Sequence, residues 1–142
     1  MNITGYSTKE IEMRFISPRI HGFLDYAVAG ALITAPLLLD FAATSVAAAA
    51  MSIAAGVGLV VYSLLTDYSA GVRNVISWKA HLTLDAIAAV AMLAAPFVFG
   101  FEGIARGFYL GVAVAVLVVV ATTQLQTDGA GEAHRASASV AA

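Results

Sequence analysis

Two stretches decide the fold: ISPRIHGFLDYAVAGALITAPLLLDF at residues 16–41 and ISWKAHLTLDAIAAVAMLAAPFVFGF at residues 76–101. They align without a gap. Ile16, Ser17, His21, Leu24, Asp25, Ala29, Ala31, Ala35, Pro36 and Phe41 meet identical residues at Ile76, Ser77, His81, Leu84, Asp85, Ala89, Ala91, Ala95, Pro96 and Phe101, and Arg19 meets Lys79. Charged residues are rare inside apolar helices, so their return at matched positions is poorly explained by chance. With one inserted residue further on, Thr66-Asp67 meets Thr127-Asp128. Repeat one is expected at residues 16–67 and repeat two at residues 76–126.

Working outward, each stretch opens one apolar run and leads into a second. The four runs are residues 20–39, 44–65, 80–99 and 104–125. Each has about the 20 residues that a helix needs to cross a bilayer core. Within a repeat the links are short, residues 40–43 and 100–103, so the two helices of each pair must be antiparallel neighbours. Residues 66–79 form a longer polar connector. Two helices per repeat insert both repeats with the same polarity. The expected fold is therefore an all-α membrane protein: four transmembrane helices made by tandem duplication of a two-helix hairpin, with a pseudo-two-fold axis along the membrane normal.

Composition agrees. Of 142 residues, 61% are hydrophobic and only 11% charged, against about 25% charged in soluble domains. A soluble fold of this size could not hide that much apolar surface, so the lipid bilayer is the expected first partner. The net charge of −2 gives no reason to expect nucleic-acid binding. The absence of cysteine excludes disulfides, thiolate metal sites and Cys nucleophiles. Residues 1–15 are mixed polar and lack the basic-then-apolar order of a signal peptide, so the first run reads as a retained anchor. Residues 127–142 are small and polar, with the composition of a disordered tail.

Lys9, Arg14, Arg19, Arg73, Lys79 and Arg135 fall on one side of the four runs, and Arg106 alone on the other. The positive-inside rule then places both termini and the central connector in the cytoplasm.

The two-helix repeat, with Ala35-Pro36-Leu37 leading to Phe41 and Ala95-Pro96-Phe97 leading to Gly100-Phe101, resembles the SPW-repeat family of bacterial integral membrane proteins. The segments from Arg19 to Tyr26 and from Ala80 to Asp85 look like members of the same group. Neither copy carries the Ser or the Trp of the name-giving motif. The resemblance implies the architecture and a bacterial inner-membrane location, and it implies no activity.

Chemistry, if any, points to His21, Asp25, His81 and Asp85. Each His is four residues before its Asp, on one helix face. The carboxylates lie ~9 Å deeper than Arg19 and Lys79 at ~1.5 Å per residue. An intramembrane charge costs about 2.5–3.5 kcal/mol at mid-bilayer and less near the ends, and this sequence places one twice. In the plain reading each His bonds its own Asp, with Arg19 and Lys79 helping to neutralise the carboxylates. The sharper readings are haem held between His21 and His81, a divalent metal bound by two His and two Asp, and a proton relay. In all of them the four side chains should point into the bundle. No nucleotide loop or hydrolase elbow is present, so nothing favours an enzyme over a scaffold or small-ligand binder.

Other features read as packing. Pro36 and Pro96 fall in the last turns of helices one and three and shape the turn that follows. Ala47, Ser52, Ala55, Gly56 and Gly58 mark helix two, and Gly107, Gly111 and Ala115 form a small-residue row on helix four. Such rows let helices approach closely, in the chain or in a homodimer. Tyr62, Thr66 and Asp67, with Thr122, Thr123 and Gln124, end helices two and four on the cytoplasmic side. They read as an interfacial belt or, alternatively, as lining the same cavity as the His/Asp pairs, and Trp78, Tyr26 and Tyr109 fit the belt. The orientation is directly testable: reporter fusions at Ala43 and Gly103 should read periplasmic, and fusions at Ala70 and the C-terminus cytoplasmic. A periplasmic C-terminus would overturn it.

Overall fold

The computed structural model describes residues 15–67 and 71–125. The tail, most of the N-terminal segment and the Thr127-Asp128 pair lie outside the described residues. Four helices follow in order: α1 Pro18–Leu38, α2 Val46–Leu64, α3 Trp78–Val98 and α4 Gly103–Thr122. All four are long and apolar enough to cross a membrane. Their outward faces are covered with large apolar side chains, such as Phe23 at 74% exposure. A surface of this kind is stable only where lipid replaces water.

Local chemistry explains the boundaries. Ser17 caps α1 by accepting from Ile20 N–H, with Pro18 in the first turn, and Ser77 caps α3 by accepting from Ala80 N–H. A capping hydroxyl satisfies a donor that the first turn leaves open. Ser45 does the same for α2. After each proline-bearing turn the chain reverses through a left-handed residue, Asp40 at φ 56° and Gly100 at φ 68°. Glycine takes that conformation without a Cβ penalty, so the second copy of the turn is the less strained.

Pro36 lacks the N–H that would bond the Leu32 carbonyl. Ser52 on α2 donates to that carbonyl instead, at 2.6 Å. In lipid the freed group has no water to turn to, so the proline and the serine of the neighbouring helix work as a pair. The register of the structure places Tyr109 where repeat two would have this serine. Its hydroxyl donates to the Ala48 carbonyl at 2.7 Å, tying α4 to α2.

Helices pack closely within each hairpin and sparsely between hairpins. In the first hairpin the close approach is at Gly56, where an added Cβ would lie 2.9 Å from the Ala29 carbonyl and 3.0 Å from Leu32 Cβ. In the second, Ala105, Tyr109 and Ala113 face inward and are buried. This corrects the expected helix-four packing row within the chain. Gly107, Gly111 and Ala115 are exposed, and a Cβ at Gly107 or Gly111 would meet nothing within 4 Å. Two residues turn a helix by about 200°, so the inward row is the face opposite the expected one. It follows tyrosine and alanine rather than glycine.

Two short parallel bridges join the hairpins at the end where α1 and α3 begin. Ile16 pairs with Thr123 and Thr66 with Ile76. The start of each odd helix is thus held by the end of the other repeat's even helix. These bridges also correct the repeat register: Thr66 is matched by Thr123.

Stability in detergent should separate the two glycines. Gly56→Ala forces backbone apart and is expected to cost about 1–3 kcal/mol, as overpacking does. Gly111→Ala should stay within about 0.5 kcal/mol of the parent, as at other unconstrained surface sites. Thermal unfolding followed by tryptophan fluorescence measures both.

Candidate functional site

His21 and Asp25 occupy the first two turns of α1, and His81 and Asp85 the matching turns of α3. All four are buried. The pseudo-symmetry brings them to one level, where one ligand atom from each lies within 4.8 Å of the others. The pairing is reciprocal. His21 Nε2 lies 3.0 Å from Asp85 Oδ2, and His81 Nε2 lies 3.1 Å from Asp25 Oδ2. Each His is also 3.2 Å from the Asp of its own helix. The plain expectation of two separate intrahelical pairs is therefore corrected: the repeats share one cluster, and the stronger contacts cross between them. Arg19 and Lys79 are exposed, and imidazoles rather than these cations face the carboxylates.

The far side of each imidazole is tied off by a threonine. His81 Nδ1 is 2.8 Å from Thr66 Oγ1, and His21 Nδ1 is 2.8 Å from Thr123 Oγ1. Each threonine hydroxyl spends its own proton on a backbone carbonyl, Thr66 on Tyr62 at 2.7 Å and Thr123 on Val119 at 2.6 Å. The hydroxyls can therefore only accept from the rings, so both Nδ1 atoms carry hydrogen. Both Nε2 atoms are then directed at carboxylates. Two lone-pair atoms cannot bond each other, so each Nε2 must share a proton with a carboxylate, unless a cation takes its place.

Two further side chains complete the site. The Tyr62 hydroxyl donates to Asp85 Oδ1 at 2.5 Å. Trp78, only 6% exposed, stacks on His81 and meets His21 edge-on, and its Nε1–H donates to the Gln124 carbonyl at 3.1 Å. Its indole covers the cluster on the side where α1 and α3 begin. The belt reading is thus corrected for Tyr62, Thr66, Thr123 and Trp78, which serve the cluster, and for the buried Tyr109. Tyr26 is half-buried, and Gln124 and Asp67 are exposed.

The sequence offered Tyr62, Thr66 and Thr123 as neighbours of the His/Asp pairs but not the threonines as matched partners of the two rings, because the inserted-residue alignment paired Thr66 with Thr127. Counting each threonine from its helix end would have found them, since Thr66 and Thr123 both follow the last helical turn. Trp78 and Tyr62 have no counterparts in the other repeat, where Pro18 and Val119 stand, so repeat logic could not reveal them.

Haem does not fit between the two histidines. Both Nε2 atoms have carboxylate oxygens at 3.0–3.2 Å, where the iron and its macrocycle would have to lie. The donor set suits a single metal ion. A tetrahedral ion bound at ~2.0–2.1 Å sets its ligand atoms about 3.3 Å apart, and here one ligand atom from each of the four residues lies within 4.8 Å of the others.

Comparisons with known proteins found no match among family models, curated proteins or solved structures.

A shared cluster has a measurable signature. Substituting His21→Ala and His81→Ala singly and together should give non-additive losses of stability, with a coupling of about 0.5–3 kcal/mol. Additive losses would mean that the two histidines act separately.

Proposed function

We propose that this is a membrane-embedded binding protein, not an enzyme, that holds one divalent transition-metal ion between its two repeats. The observation that carries the reading is the convergence of two Nε2 atoms and two carboxylates, with both Nδ1–H groups already engaged by threonine. Metal-binding histidines are oriented in this way, by a hydrogen bond to the other ring nitrogen. Two neutral imidazoles and two carboxylates carry a charge of −2, which a dication cancels. Cancellation matters in a low-dielectric interior, where a net buried charge is costly. Mixed imidazole and carboxylate ligands suit zinc, iron(II) or manganese.

The same contacts support a second reading, a polar clamp that joins two hairpins whose seams are otherwise sparse. The distribution of Lys and Arg supports a bacterial inner-membrane orientation with cytoplasmic termini, which puts the cluster near the cytoplasmic boundary. The two-helix repeat and its prolines support placement with the SPW-repeat group.

Metal titration separates the readings. Purified in chelator and then dialysed, the protein should bind one zinc(II) per chain. Cobalt(II) should give the visible absorption of a tetrahedral site. Asp25→Asn and Asp85→Asn should abolish stoichiometric binding, and Thr66→Val should lower affinity about 10–100-fold, as loss of an orienting partner does. Absence of saturable binding by the parent protein leaves the clamp.

A further inference from the structure

We propose that the cavity between the hairpins is a second binding site, for a ring-sized, lipid-soluble molecule bearing one hydrogen-bonding oxygen, which enters from the bilayer between α2 and α3. This inference does not rest on the metal reading. The cavity has a volume of about 230 Å³ and is lined from all four helices. It runs from His21, Asp25, Asp85 and Tyr62 at one end to Leu32 and Met92 at the other. From Asp25 to Leu32 this is about 10 Å along the helix. Everything beyond the polar end is apolar. An apolar cavity of about 150 Å³ stays dry and takes benzene, and sites for drug-sized ligands begin near 300 Å³. The volume here suits a single substituted ring.

The side of entry follows from where the pseudo-symmetry fails. The Thr66–Thr123 match pairs Ala55 with Val112, Gly58 with Ala115 and Tyr62 with Val119, and the gapless alignment pairs Ala88 with Val28. At Ala55, Gly58 and Ala88 the α2/α3 side carries the smaller residue, while at Leu59, which meets Val116, and at Tyr62 it carries the larger. Gly58 and Ala88 line the cavity and are also exposed, so the cavity reaches the outer surface at that seam. A Cβ on Gly58 would meet nothing within 4 Å, which leaves the opening clear of packing. The same side supplies the polar anchor. Tyr62 faces Asp85 across the α2/α3 seam, while its counterpart Val119 offers no hydrogen bond. A duplicated fold needs neither the small residues at Gly58 and Ala88 nor the tyrosine for packing. Together they make this seam an entrance with a hydrogen-bonding end.

The test uses para-fluorophenol and fluorobenzene, which differ by one hydroxyl. Each is titrated onto the full chain in lipid nanodiscs and followed by fluorine NMR against empty nanodiscs. para-Fluorophenol should saturate at one per chain and fluorobenzene should bind at least tenfold more weakly. Gly58→Leu and, from the facing helix, Ala88→Leu should each weaken binding at least tenfold. Ala115→Leu, at the exposed position matching Gly58 but outside the cavity, should leave it unchanged. Tyr62→Phe should erase most of the preference for the phenol. Binding no greater than partition into empty nanodiscs would overturn the proposal. So would equal loss in Gly58→Leu and Ala115→Leu, and equal affinity of the parent protein for both probes.

Discussion

A charge in hydrocarbon must be paired, and here the two repeats share the pairing. The Nε2 of each histidine reaches its nearest carboxylate on the other repeat, and its Nδ1 reaches a threonine on the other repeat. Two hairpins that meet only sparsely elsewhere thereby become one body. Removing one partner would leave a buried polar group unsatisfied, a far larger penalty than the net worth of the bond. The bridges from Ile16 to Thr123 and from Ile76 to Thr66 sit beside the cluster and hold the threonines at the right height. Backbone and side-chain pairing at this end of the bundle are one construction.

Close packing takes the opposite role. Inside each hairpin small residues, and in the first also the proline-serine pair, bring two helices together along their length. Those contacts are local and each hairpin could form them unaided. Between hairpins the polar cluster fixes the spacing at one end, and the Tyr109 bond to Ala48 fixes it on the other side of the cavity. The region between is left open. The cavity is thus a consequence of pinning two well-packed pairs at their ends.

Duplication explains the site and its limits. Symmetry supplies two copies of a His-x-x-x-Asp segment at one depth, which is how a four-residue cluster arises from one repeated helix. Divergence then falls on residues that symmetry does not require. Trp78 covers the cluster from one repeat, Tyr62 donates to Asp85 from one side, and Gly58 and Ala88 give one seam small residues. These are the positions where a symmetric scaffold acquires a direction.

The membrane class, the four spans, the hairpin pairing and the tandem repeat were all determined by sequence, because hydropathy, loop length and residue identity are one-dimensional quantities. The inward direction of His21, Asp25, His81 and Asp85 was legible too, since hydrocarbon offers a charge no partner. Which helix each imidazole bonds was not legible. An i,i+4 spacing and a cross-repeat contact satisfy the same chemistry, and only the distance between α1 and α3 selects between them. The inward face of α4 was misread for a related reason. Glycines at four-residue spacing permit a close approach, but nothing along the chain says whether a neighbour comes. Here Tyr109 and its flanking alanines met the other helices, and the glycine face was left outside. Tertiary structure decided the threonine register, the place of Trp78 and the cavity. Each depends on how far apart two hairpins stand, and that separation is set by contacts between residues up to a hundred positions apart.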